Sequence, residues 1–325
     1  MRRRPVSRAV GAALVCIVIG TGAVRAQAVS DTRSAVLLTL PASARALALG
    51  DGWGAMADDE SALFYQPAQI ARVLGLAAGG SLQHYLAGTT LAAMAATTRL
   101  WHGTIGGGVR ILDYGSAPEF AFSGVQEGTA TGRTISAQDV AVTVGYAASW
   151  GDGRVWRAGA ALTSVRQRVA DVSGSSVALD LGVAHGISNG WQVSAALQNA
   201  GQPLALAGVR APLPLTWRAA AATPARIVAR NARLRARVLG ELRNVSGAGT
   251  TGVLGSELTW VTPRAGLGLA ARAAIATHHS GDARSSLTAG GGLSLGRLTV
   301  DYAYEGFAVL GATHRVGLRV TAVRR

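Results

Sequence analysis

The sequence has no lysine, one cysteine, and few charged or aromatic residues. All 31 basic side chains are arginine, and charged residues make up 15% and aromatic residues 5% of the 325 positions. Cys16 lies in an amino-terminal leader, so an exported chain cut after that leader has no disulfide framework. Its stability must then come from strand pairing and from the surrounding solvent, and a lipid bilayer can serve as that solvent.

Long apolar runs are missing beyond the leader. No interior stretch reaches 18 apolar residues, which excludes a helical membrane protein. Hydrophobic residues nevertheless make up 49% of the chain, and the mean hydropathy is +0.27. A membrane β-barrel accommodates both facts, because its apolar residues occupy alternate positions of many strands.

The leader predicts export. An apolar core at residues 9–24 precedes small residues that suit cleavage after residue 26, with residue 28 as the alternative. An uncleaved anchor helix is the competing interpretation, but the run is short for a span. The basic residues before this core are Arg2, Arg3, Arg4 and Arg8.

The exported chain is basic. Five arginines precede Gln27 and no acid does, which leaves 26 arginines against 17 acids, a net charge of +9. These arginines are dispersed at strand intervals and no nucleic-acid motif accompanies them, which argues against a nucleic-acid partner.

Residues 140–150 show the pattern that recurs through the chain. Val142, Val144 and Tyr146 fall on one face of an extended strand, with Thr143 and Gly145 on the other, since strand side chains alternate. Arginine is therefore expected to impair assembly far more at Val144 than at Thr143.

Fourteen strands of this kind are predicted, an even number that is typical of bacterial outer-membrane barrels. Connections after even strands are mostly short, whereas long ones at 114–137, 200–214 and 278–285 follow odd strands; 224–232 is an exception. The predicted fold is an all-β, 14-stranded antiparallel transmembrane β-barrel at residues 73–325, behind a short plug-like segment at 29–72. The predicted strands are 73–84, 89–101, 104–113, 138–150, 155–169, 176–186, 191–199, 215–223, 233–244, 252–260, 266–277, 286–295, 297–304 and 313–322.

Tryptophans indicate how this barrel is oriented. With the amino terminus in the periplasm, five of them lie at the periplasmic rim and Trp217 alone at the outer rim, as an interfacial belt favours. Core aromatics of a soluble β-sandwich are the alternative. The five are Trp101, Trp150, Trp156, Trp191 and Trp260.

Charged side chains fall on the face opposite the apolar one, which predicts a polar lumen. Mutual pairing across the lumen and a solute-selecting constriction are both open interpretations, with pairing favoured. The candidate lumen residues are Arg110, Arg218, Arg235, Arg237, Glu241, Glu257, Arg272, Asp301 and Arg315.

The segment before the strands does not alternate. Asp58 or Asp59 is expected to cap a short helical turn through Phe64, with Pro67 ending it. The segment therefore predicts a compact lead-in to the barrel.

No catalytic constellation or cofactor motif is evident. His84, His102 and His185 have no serine partner at defined spacing, so a barrel hydrolase is not predicted. His278 and His279, with Asp282 and His314, leave a metal site open, although a solvated loop fits better.

Several ordered stretches resemble the PorV/PorQ family and the related FadL-type barrels. The acidic run at 58–62 leading to Tyr65 and Pro67 is similar to that family's amino-terminal motif, in which the residues matching Gln66 and Gln69 are Asn and Gly. Further landmarks are residues 112–115, 198–201 with 212–215, and 301–304 before 310–315. Asp58, Asp59, Tyr65 and Pro67 are the plug-motif candidates.

The resemblance implies a fourteen-stranded outer-membrane barrel. In PorV and PorQ such barrels are associated with type IX secretion and surface attachment of cargo, which gives a non-enzymatic secretion component as the first functional interpretation. In FadL-type proteins they take up hydrophobic molecules, which gives the alternative. The implied partners are outer-membrane lipid and either secretion proteins and cargo or a hydrophobic solute.

Overall fold

The structure, a computed structural model, describes residues 33–121, 128–152, 155–187, 189–229, 233–262, 266–277 and 284–322. The predicted signal peptide at 1–26 lies outside these residues. Within the described ranges, no helix is both long and apolar enough to cross a membrane.

Seventeen strands are present in the described chain. They are β1 Ala77–His84, β2 Thr90–Leu100, β3 Gly103–Ala121, β4 Thr129–Trp150, β5 Trp156–Val169, β6 Val172–Gly186, β7 Gln192–Gly201, β8 Leu204–Leu206, β9 Val209–Ala211, β10 Thr216–Ala222, β11 Arg226–Ala229, β12 Leu234–Val245, β13 Gly249–Val261, β14 Leu267–Ala276, β15 Arg284–Leu295, β16 Leu298–Phe307 and β17 Gly311–Thr321.

Fourteen of these strands form one closed antiparallel ring. Successive strands pair, β7 continues to β10 and β10 to β12, and β1 pairs with β17 along its whole length. The chain is therefore a 14-stranded transmembrane β-barrel, and all fourteen predicted strands are confirmed, with ends shifted by a few residues except where β3 and β4 extend much further. Outside the ring, β8 and β9 form a hairpin and β11 pairs with the start of β12.

The prediction of a long loop at 114–137 is wrong. Strand β3 continues to Ala121 and β4 begins at Thr129. The two strands stay paired up to these ends, although the register shifts twice, after Asp113 and after Pro118. A membrane-spanning strand needs only about 9–11 residues, whereas β3 has 19 and β4 has 22. Ladder hydrogen bonds thus extend the sheet well past one end of the barrel, where alternation is too weak to read from the sequence.

Side chains alternate between the two faces of the wall as predicted. In β4, Val144 is 54% exposed on the outside, while Thr143 is 1% exposed on the inside. Arg110, Glu241 and Arg315 are likewise buried on the inner face. The apolar band is therefore continuous around the outside.

The predicted tryptophan belt is also present. Trp150 faces Trp156 across β4 and β5, Trp101 follows β2, Trp191 precedes β7, and Trp260 lies near the end of β13. We call this end the tryptophan rim. Trp217, near the start of β10, lies at the opposite rim, where the extensions of β3 and β4 also end.

Residues 33–76 fill the lumen, and we call them the plug. At the opposite rim the Ser34 hydroxyl donates to the carbonyls of Ala211 and Pro212, and from there the plug descends to β1 at the tryptophan rim. The first described residues therefore lie at the rim expected to face outward, whereas the sequence interpretation had placed the amino terminus on the periplasmic side.

Candidate functional site

Short helical turns separated by extended chain build the plug. Its helical segments are Val36–Thr39, Ala44–Leu47, Glu60–Phe64 and Pro67–Arg72, all but Ala44–Leu47 being 3₁₀ turns. Asp59 caps the third segment as predicted, since its side chain accepts from the Ser61 amide at 3.1 Å. Pro67 does not end that turn: it begins the next one, where its missing N–H costs nothing.

The other plug-motif candidates hold the plug internally and against the wall. The Tyr65 hydroxyl accepts from the Ala42 amide at 2.7 Å, which ties two parts of the plug together. Asp58 forms a 2.8 Å ion pair with Arg45, which also lies in the plug. Pro67 packs its backbone against Gly159 of β5. Their geometry gives these residues a structural role.

Six buried side chains form a closed circuit of ion pairs between the plug and the wall, which we call the arginine–carboxylate ring. On the plug side, Arg45 donates two 3.0 Å hydrogen bonds to Glu257 of β13. The Asp59 carboxylate forms ion pairs with Arg319 of β17 at 2.5 Å and with Arg45 at 3.5 Å. The plug is thus bound to two non-adjacent strands through one acid and one base.

The wall completes the ring. Arg272 of β14 contacts Glu257 at 2.7 Å and Asp301 of β16 at 2.7 Å. Asp301 in turn forms an ion pair with Arg319 at 3.4 Å. Three arginines alternate with three carboxylates and balance their charge, as buried ions require.

A second cluster holds the other side of the plug. Arg218 of β10 contacts Glu241 of β12 at 2.6 Å and the Asp51 carboxylate at 3.4 Å, and Arg243 pairs with the same carboxylate. Glu241 also accepts from the Gly54 amide at 2.8 Å. The sequence interpretation favoured pairing across the lumen, and the pairing found runs chiefly from wall to plug.

The remaining lumen candidates differ in their surroundings. Arg110 lies over the Phe64 ring at 5.0 Å, and Arg315 donates to Gln83 at 2.9 Å and to Ser81 at 3.0 Å. Arg237 lies 3.9 Å from Asp58, whereas Arg235 is exposed near the tryptophan rim.

The sequence interpretation missed Arg45 and Asp51. Each is a charge within the small-residue run that begins the plug, and that contrast is the signal that could have identified them.

Wall glycines provide the space for the plug. A Cβ on Gly159 would lie 2.7 Å from the backbone of Pro67 and Ala68, and one on Gly145 would lie 2.7 Å from the Leu63 side chain. Other wall glycines whose Cβ would clash with plug atoms are Gly79, Gly108, Gly182 and Gly290. The plug is therefore in direct contact with bare backbone on much of the wall.

Alanine at Gly159 is expected to destabilise the plugged barrel, because the added methyl meets plug backbone that cannot rotate away. We expect a loss of about 1–3 kcal/mol of stability, measured by urea unfolding in detergent or lipid. The matched control is Gly240→Ala in β12, where a Cβ has no neighbour within 4 Å. Equal unfolding midpoints for the two variants would contradict the close packing of the plug against Gly159.

On one side of the lumen near the opposite rim, inside β2 to β6, the lining is apolar. Leu91, Leu112 and Val165 point inward from β2, β3 and β5 and contact the plug leucines, and the connection between β7 and β10 covers them. We call this the apolar cluster; it consists of Ala35, Leu37, Leu38, Leu40, Leu91, Leu112, Ala141, Val165, Ala178, Leu204 and Leu213. Outer-membrane barrels usually have polar interiors, so this lining sets the lumen apart from an aqueous pore.

Polar side chains of β3, β4 and β5 form a network where the sheet leaves the membrane. The Tyr114 hydroxyl lies 3.1 Å from Asp139, which also accepts from Gln167 at 3.0 Å. Burial raises the pKa of Tyr114, and the neighbouring carboxylate raises it further. Tyr114 is therefore a neutral donor at physiological pH.

The wall is thin on one side of the plug. A cavity of about 30 Å³ between the plug and the wall is lined by Glu60, Arg319, Gly79 and Gly80. On the lipid side, the same two glycines border an open apolar depression of about 950 Å³. Backbone alone therefore separates plug from lipid here.

Of the metal-site residues left open above, His278, His279 and Asp282 lie outside the described residues.

No protein-family model matches the chain, and no curated protein matches it by sequence. Solved structures do match. The Pseudomonas putida toluene transporter TodX aligns at 10% identity and a TM-score of 0.56, over 86% of this chain and 98% of that one. The Ralstonia pickettii toluene transporter TbuX aligns at 12% identity and a TM-score of 0.51, over 85% and 96%.

A FadL homologue of Pseudomonas aeruginosa gives a similar result, with 10% identity and a TM-score of 0.56 over 87% of this chain and 99% of that one. Nearly the whole length of each transporter is therefore matched. At these identities the likeness establishes the architecture alone: this chain shares the transmembrane β-barrel fold of FadL-type transporters.

Proposed function

We propose that this chain carries apolar small molecules across the outer membrane of a Gram-negative-type bacterium. The apolar cluster at the opposite rim supports the proposal most directly, because it lines one side of that end of the lumen with apolar side chains. With the tryptophan rim in the periplasm, that cluster faces the outside. The match to transporters with apolar substrates agrees with this assignment.

The packing of the plug argues against a general diffusion pore. Leu37, Trp53, Leu63 and Ile70 are all fully buried along its length, and the arginine–carboxylate ring binds the plug to the wall. An ion entering the lumen would meet packed side chains throughout the described plug. Conduction of salt is therefore not the function that this lumen supports.

Uptake of radiolabelled toluene by cells expressing the full chain tests the proposal. Wild-type protein is expected to raise the uptake rate several-fold, and Leu112→Gln to abolish most of that gain by placing an amide in the apolar cluster. Leu112→Met, which conserves volume and polarity, is the matched control. Equal uptake with and without the protein would overturn the proposal.

The secretion role implied by the resemblance to PorV and PorQ stays a prediction. No feature of the described residues favours it over transport. Co-purification of the tagged barrel with exported cargo, in cells where Leu112→Gln has no effect on uptake, would favour that role.

A further inference from the structure

Two arginines on the outer face of β5 break the charge pattern of the barrel. Arg166 and Arg168 alternate with the inward-facing Val165 and Gln167, and both are exposed. Elsewhere in the described strands, arginines at membrane depth turn inward and are buried, including Arg110, Arg157, Arg218, Arg272, Arg315 and Arg319. A charge that faces lipid costs about 2–4 kcal/mol at midplane and about 0–1 kcal/mol near the interface, so the depth of this pair decides what it contacts.

The depth of the pair follows from the strand geometry. Arg166 lies ten residues after Trp156, which marks the tryptophan rim. Ten residues rise about 33 Å along a strand, and a tilt of about 35–45° converts this to a height of roughly 25 Å. That height equals the apolar band of such barrels, about 25 Å. Arg166 and Arg168 therefore lie at the second membrane interface, at headgroup level.

The surroundings of the pair suit an anion. The Ser173 hydroxyl of β6 accepts from Arg166 at 3.2 Å, and the Ser136 hydroxyl of β4 accepts from Arg168 at 3.5 Å. Each hydroxyl keeps its own proton to donate. Among the described residues, neither guanidinium forms an ion pair.

The acids nearby are already engaged by another base. Asp171, at the turn after β5, pairs with Arg133 at 2.8 Å, and Glu119 lies 3.7 Å from the same guanidinium. These contacts raise the pKa of Arg133, chiefly through its hydrogen bond to Asp171. The positive charge of Arg166 and Arg168 is thus left facing the membrane surface.

We propose that Arg166 and Arg168 form a binding site for the phosphate of an anionic membrane lipid. Guanidinium groups bind phosphate through paired N–H donors. Two of them on one strand face, about 7 Å apart, span one headgroup with its flanking hydroxyls. The exposed Leu162 and Val177 below them contact the acyl chains of the same lipid. This site is independent of the solute that the lumen carries.

Native mass spectrometry of the full detergent-purified chain tests the site. Wild-type protein is expected to retain lipid A and phosphatidylglycerol in preference to phosphatidylcholine with the same acyl chains. Arg166→Gln/Arg168→Gln is expected to bind the anionic lipids roughly tenfold more weakly. Arg210→Gln, which removes an exposed arginine of the β8–β9 hairpin outside the pair, is the matched control and keeps the preference.

Additional variants and measurements distinguish the possible outcomes. Heat-modifiable migration shows whether each variant is assembled; if the double variant is not, Arg166→Gln and Arg168→Gln alone are each expected to give part of the loss. Arg166→Lys/Arg168→Lys retains most of the preference because the charge remains. An unchanged lipid preference in the glutamine variants overturns the site, and so does displacement of lipid by millimolar inorganic phosphate, which would make it a site for soluble anions.

Discussion

Glu257→Gln is expected to lower the stability of the plugged barrel by about 3–5 kcal/mol, the cost of leaving buried arginines without a carboxylate. Glu257 is shared by Arg45 of the plug and Arg272 of the wall, and all three are buried. The substitution keeps the shape of the side chain, so only the charge changes. Urea unfolding followed by tryptophan fluorescence measures the loss.

The same variant is expected to admit ions. Weakening the bond between Arg45 and the wall frees part of the plug, so planar bilayers should record conductance that wild-type protein lacks. Adding Arg272→Gln restores the charge balance of the ring and should recover part of the stability. Asp171→Asn, at the exposed pair with Arg133, serves as the control and should unfold with the wild-type midpoint. A wild-type midpoint for Glu257→Gln would show that the ring does not hold the plug.

Val144→Arg is the second substitution with a large expected effect. The side chain is 54% exposed on the outer face of β4, in the middle of the apolar band. Arginine there faces lipid at a cost of about 2–4 kcal/mol, and assembly competes with aggregation of the unassembled chain. Heat-modifiable migration and the amount of protein in the outer-membrane fraction measure the loss.

The control for this substitution changes once the lumen is known. Thr143→Arg was expected to impair assembly far less than Val144→Arg, but Thr143 is 1% exposed, and its hydroxyl lies 2.9 Å from that of Thr163. Arginine at Thr143 therefore overpacks the inner wall and is expected to fail too. Thr134→Arg, in the exposed extension of β4, is the suitable control. Equal assembly of Val144→Arg and Thr134→Arg would contradict the lipid-facing assignment.

The barrel could be predicted from the sequence because its physics is local. Alternation along 140–150 depends only on neighbouring residues, and a barrel repeats that signal in every strand. Where one face no longer meets lipid, as in β3 beyond Asp113, the alternation weakens and the prediction ended the strand too early. The tryptophan belt was predictable for the same local reason.

The interior could not be predicted in the same way. Which arginine meets which carboxylate depends on the path of the plug, and that path depends on contacts between residues far apart in the chain, such as Arg45 with Glu257. Glycines at 159 and 182 have no distinct meaning in a strand pattern until plug atoms are found against them. The sequence interpretation therefore identified the lumen charges without their partners.

The pairing of β1 with β17 also determines the order in which the molecule can assemble. Ala77 pairs with Thr321, and Arg319 of the same last strand contacts Asp59 of the plug. The closing strand thus completes both the ring and the seat of the plug, so the two events are coupled in time. Contacts this distant in sequence make folding slow, and a chain whose β17 is still being synthesised has neither a closed wall nor a seated plug. The barrel therefore cannot close, and the plug cannot be fully held, until β17 is available to pair.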